Sequence, residues 1–138
     1  MAFALLALLL VPAAVPLAQA EHEIYYRYVV LGFVKDAQGR PVAGRELELI
    51  RDKTGFSYLG LTDEKGFFLI VARLGDESVG ESLTLKSGAA VTRLVAAFDP
   101  ANHTEHRGAR VDLEGLWFVE RHAGFRPALF DALGAVTR

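Results

Sequence analysis

The chain has 138 residues, with 15 Lys and Arg against 17 Asp and Glu, a formal net charge of −2. That balance denies nucleic acid the basic surface its phosphates call for, so a DNA or RNA partner is excluded from the expected functions. Residues are 51% hydrophobic and 23% charged, too apolar for a disordered chain and enough for the core of one domain, and no cysteine is present to hold a disulfide scaffold, a c-type haem, a thiolate zinc site or a lipid anchor.

In chain order, the first 20 residues are uncharged, and Phe3 to Val11 form an uninterrupted apolar run. Pro12 cuts that run below the roughly 20 residues a spanning helix needs, and Ala18-Gln19-Ala20 has the small-x-small form of a cleavage site. The expectation is a secretory signal peptide over residues 1–20, with a retained membrane anchor as the alternative because the segment has no Lys or Arg at its start. The mature chain then starts at Glu21, does not span a membrane, and works in the periplasm, at the cell surface or outside the cell.

Ile24 to Lys35 is rich in β-branched and aromatic residues and predicts a strand. Three D-x-x-G turns follow, Asp36 to Gly39, Asp52 to Gly55 and Asp63 to Gly66, with Pro41 just beyond the first. In such a turn the carboxylate accepts a backbone N–H two residues on, and the glycine takes the left-handed conformation that closes a hairpin. Backbone geometry therefore accounts for these acids without catalysis. Arg45 to Arg51 alternates, with Leu47 and Leu49 facing inward, and Phe56 to Thr62 alternates as well. Phe67 to Arg73 is apolar on both faces up to Ala72, the pattern of a central strand covered on both sides. Further strands are predicted at Ser82 to Ser87, Ala90 to Phe98, Ala109 to Glu114 and Gly115 to Val119. Short strands at this spacing, separated by turns, predict a β-sandwich over residues 21–119. Residues 120–138 form a tail. Pro127 suits the first position of a helix, and Leu129, Phe130, Leu133 and Val136 fall on one helical face.

The run Gly32-x-Val34-x-Asp36-x-x-Gly39-x-Pro41-x-x-Gly44-x-x-Leu47-x-Leu49, followed by Thr62-Asp63-x-x-Gly66-x-Phe68, resembles the carboxypeptidase regulatory-like domain. The pattern covers about Val30 to Leu74. The resemblance implies an all-β, Greek-key, transthyretin-like sandwich of about seven strands, here with a short C-terminal helix. It also implies an exported, non-catalytic accessory, adhesive or binding module without a cofactor. Transthyretin-like hydrolases of the urate pathway end in Tyr-Arg-Gly-Ser, whereas this chain ends in Ala-Val-Thr-Arg.

Three groups of residues are candidates for function. Trp117, Phe118, Phe125, Phe130 and Leu133 are a dense apolar supply beyond the last strand, able to anchor a protein partner in the cell envelope. Tyr25, Tyr26, Tyr28 and Tyr58 could stack on sugar rings and so bind polysaccharide. His103 and His106, with Glu105 between them, could ligate zinc or copper, although the spacing also suits a solvated loop. No G-x-S-x-G elbow or phosphate-cradling glycine loop occurs. The remaining acids, Asp112 and Glu114 among them, read as a solvated face. The leading expectation is protein–protein interaction at the envelope, with carbohydrate binding second and metal binding third.

Overall fold

A computed structural model describes residues 23–137, so the expected signal peptide lies outside the described residues. Eight strands are present among them: β1 (Arg27–Lys35), β2 (Glu46–Arg51), β3 (Ser57–Leu61), β4 (Phe67–Arg73), β5 (Ser82–Ser87), β6 (Ala90–Val95), β7 (Arg107–Glu114) and β8 (Trp117–Glu120). They form two four-stranded sheets, in the orders β4-β1-β7-β8 and β3-β2-β5-β6. This is the all-β sandwich expected, with eight strands rather than about seven. One helix, α1 (Phe125–Thr137), follows β8. Among the described residues no helix is long and apolar enough to cross a membrane.

Alternation builds the core. Leu47 and Leu49 of β2 point between the sheets and are fully buried, as are Leu83 and Leu85 of β5. They meet Tyr28, Val30 and Val34 of β1, Phe68 and Ile70 of β4, and Val111 and Leu113 of β7. The strand covered on both faces is β1, where five consecutive residues from Tyr28 to Gly32 are buried. The sequence assigns that place to Phe67–Arg73, but β4 is an edge strand whose burial alternates, leaving Leu69 and Val71 exposed on the outer face.

What covers β1 on its outer side is α1. Phe125, Ala128 and Leu129 pack on Val29 and Leu31, forming a second, smaller apolar cluster. The helical face differs from the predicted one. Phe130 and Leu133 are exposed, and Pro127 is the third helical residue instead of the first. The side chain of Val136 lies outside the described residues. Gly108 of β7 fits this contact, because a Cβ there would meet the Phe125 ring at 2.6 Å.

Two of the three turns close as the sequence predicts. Asp36 Oδ1 accepts the Gln38 and Arg40 N–H groups, each at 2.9 Å, and Asp63 Oδ1 accepts those of Lys65 and Phe67 at 2.9 and 3.0 Å. Gly39 and Gly66 take φ of 82° and 76°. Pro41 bridges to Lys35 beside the first turn. The second turn differs. Gly55 has φ 76° and donates to the Arg51 carbonyl, but Asp52 turns away to accept the Ser82 and Thr84 hydroxyls at 2.6 and 2.7 Å. Those hydroxyls hold its carboxyl below the usual carboxylate range.

Candidate functional site

The predicted apolar patch is divided by the fold. β7 and β8 join through a two-residue turn in which Gly115, at φ 65°, lets Glu114 pair directly with Trp117. The turn is tied to β1 by the Gly115 N–H, which donates to the Lys35 carbonyl at 2.9 Å. Trp117 is thereby held on the outer face and is 78% exposed, with Leu116 beside it 69% exposed. Phe118 points the other way and packs half-buried against the core. Phe125 is buried under the helix, so it is no part of an exposed patch. Phe130, 62% exposed, and Leu133 lie on the outward side of α1. The exposed apolar tip is thus Leu116–Trp117. Leu116 was not singled out from sequence, although its place between a turn glycine and Trp117 was a usable signal.

The four tyrosines do not form one platform. Tyr28 is buried in the core, where desolvation raises its phenol pKa, and its hydroxyl lies 3.4 Å from the Val95 carbonyl. Tyr25 and Tyr26 sit in a 3-10 turn (Ile24–Tyr26) before β1, with ring centroids 4.8 Å apart. Tyr58 belongs to β3 and packs edge-on against Phe56 at 5.0 Å.

His103 is engaged by its neighbours. Its ring stacks on Tyr25 at 3.9 Å between centroids and 8° between planes, and its Nε2 lies 2.8 Å from Asp76 Oδ2. The other oxygen of Asp76 accepts from Arg107 Nη2 at 2.8 Å, and Arg107 is the principal cause of that carboxyl's lowered pKa. Arg107, 3% exposed at the side chain, also donates to the Tyr25 and Asn102 carbonyls and lies over the Phe98 ring. One buried guanidinium thus ties three chain segments together at this end of the sandwich. Among the described residues, no group of three His, Cys, Asp or Glu side chains is placed to hold a metal ion, and His106 does not join His103 in one.

Asp112, read from sequence as solvated, is buried. It accepts the Phe33 N–H at 3.0 Å, two bonds from Arg110 at 3.1 and 3.0 Å, and one from Arg121 at 2.9 Å. Glu81 is similarly committed. Arg51 Nε and Nη2 each reach it at 2.7 Å, and this bidentate bond holds its carboxyl down at about 2. Aspartates 76 and 112 and Glu81 therefore spend their charge on arginines that organise the fold.

No family of known proteins and no curated protein matches the chain in sequence. Among solved structures it is similar to an (S)-allantoin synthase, at 12% identity over 72% of this chain and 44% of that one, with a TM-score of 0.47. It is also similar to a 9R-lipoxygenase from Cyanothece PCC8801, at 18% identity over 68% of this chain and 17% of that one, with a TM-score of 0.37. The chain spans less than half the length of either protein, and similarities this distant say nothing of its activity.

Proposed function

We propose that the protein is an exported, non-catalytic accessory module that binds another protein at the cell envelope. The observation that carries this reading is the Leu116–Trp117 tip. Two large apolar side chains stand side by side on a tight turn, in water, next to the open edge of β8. Exposing them costs the free protein solvation free energy, at roughly 25 cal/mol per Å² of apolar surface. A partner that covers them recovers it, and Trp is among the residue types enriched at the energetic centres of protein interfaces. The adjacent edge strand offers unpaired backbone groups to an added strand.

Removing the tail is the wrong test, because it would strip α1 from Val29 and Leu31 along with Trp117. Point substitution separates the two. Full-length chain and its Trp117→Ser and Leu116→Ser variants would be cross-linked in host envelopes and recovered, with circular dichroism checking the fold. The reading predicts one stoichiometric protein partner, retained by the parent and lost by Trp117→Ser. Equal recovery by parent and variant, or recovery of no protein, would overturn it.

A further inference from the structure

At the far edge of the sandwich, β3 lies over β4, and a single glycine decides how closely. A Cβ on Gly60 would stand 2.6 Å from Ile70 Cγ1, so the two edges pinch together there because the side chain is absent. Two residues back along β3 the edges part. Tyr58 wedges between them, and its hydroxyl accepts the Arg73 N–H at 3.2 Å. Beyond it opens a cleft of about 820 Å³, lined by Arg51, Phe56, Tyr58, Val71 and Arg73 among others.

We propose that this cleft binds a segment of a neutral carbohydrate chain, with Phe56 as the stacking platform. Phe56 is 60% exposed, yet its position is fixed from three sides. Its N–H donates to Thr54 Oγ1 at 3.2 Å, its carbonyl accepts the Arg51 N–H at 2.8 Å, and its ring meets Tyr58 edge-on at an interplanar angle of 61°. A ring held this way loses little freedom when a ligand covers it. A pyranose presents an apolar C–H face with a rim of hydroxyls. Phe56 and Val71 suit the face, and Arg51 and the Tyr58 hydroxyl suit the rim. Tyr58 accepts a bond from Arg73, so its own proton is available to a ligand oxygen.

Charge distinguishes a neutral sugar from a polyanion. Glu81 takes the Nε and Nη2 bonds of Arg51, which fixes the guanidinium plane and cancels its charge locally. Arg51 Nη2 also reaches Ser78 Oγ at 3.3 Å, so the guanidinium that lines the cleft enters it with its charge already met by Glu81. Such a group favours hydroxyls over carboxylates. The cleft is open to solvent, so a chain can lie in it without threading its end.

The test is isothermal titration of the full-length protein with maltohexaose, cellohexaose and chitohexaose as neutral probes, and hexagalacturonate and polyglutamate as anionic ones. Amide NMR shifts would locate binding. One neutral hexasaccharide should bind saturably, shift the Phe56 and Arg73 amides, and hold its affinity from low to high salt. Phe56→Ala should weaken it by at least about tenfold, whereas Phe56→Trp, which keeps the ring, should bind as well as the parent. Trp117→Ser should bind normally, which separates this site from the protein-docking tip. Failure of all three neutral probes, salt-sensitive binding of the anionic probes alone, or unchanged affinity in Phe56→Ala would overturn the proposal.

Discussion

Asp112 shows how one side chain repairs a backbone problem. β1 and β7 run parallel, and their pairing passes from Leu31 with Arg110 to Val34 with Leu113, skipping the two residues between. The Phe33 N–H falls in that gap, and Asp112 Oδ1 accepts it. Gly32 makes the approach possible, since a Cβ there would collide with the Val111 carbonyl oxygen. Two arginines then settle the carboxylate's charge. Replacing Asp112 by Ala leaves the part-buried Phe33 N–H and the Arg110 guanidinium without their acceptor, and should cost about 2–4 kcal/mol in chemical denaturation. Asp112→Asn keeps an oxygen for Phe33 and should lose less than Asp112→Ala. Equal losses would mean that charge, and not the repaired backbone bond, is what matters.

At the scale of elements, the helix is held by one turn's worth of side chains. Leu129 is buried on Val29 and Leu31, and Phe130, its neighbour, is in water. Leu129→Ala should therefore destabilise the fold by about 2–3 kcal/mol, whereas Phe130→Ala should stay within about 0.5 kcal/mol of the parent. Urea midpoints for the pair decide between the two helical faces. The strands and turns were legible in the sequence because Leu47 and Leu49 alternate and Asp36, Gly39, Asp63 and Gly66 have few other uses. The helical face was not. Its stripe includes Ala128, whose small side chain matters only because β1 lies beneath it, and Phe125, which needs Gly108 as a seat. β4 was misplaced for a related reason. An apolar run says that a strand is covered, but of the outer face of β4 only Phe67 reaches the cluster under α1, and Leu69 and Val71 stay exposed. Of the candidate surfaces, Trp117 was legible as an apolar residue past the last long strand. The Phe56 cleft was not, since it depends on the meeting of two edges from different sheets, which are neighbours in space without a backbone ladder between them.

For the molecule as a whole, the arginine–carboxylate pairs set its response to acid. Glu81 is mostly buried, and Arg51 holds its carboxyl down at about 2 against an ordinary 4.5. A depressed folded-state pKa gives stability that is complete above the unfolded value and is lost as pH falls through the folded one. The parent should thus lose on the order of 2 kcal/mol between about pH 5 and pH 2 through this pair alone. Glu81→Gln should be weaker at pH 7 by a similar amount and lose less over that interval. Parallel acid titrations of stability for both proteins would show it, and identical slopes would remove Glu81 from the account.

The parallel pairing of β1 with β7 has a kinetic consequence. Phe33 and Asp112 are 79 residues apart in sequence, and the strand at the middle of the first sheet cannot find its second neighbour until most of the chain has emerged. The β2–β3 hairpin and the β5–β6 hairpin are local and can form early. Closing a loop as long as the one between β1 and β7 costs entropy before any contact rewards it, so folding of this domain should be limited by that single late event. Until then, β1 stands with one edge unpaired and its outer face bare, because α1 follows β7 in the chain. A newly made chain therefore passes through a stage in which the strand that will be buried on both faces is also its least protected one.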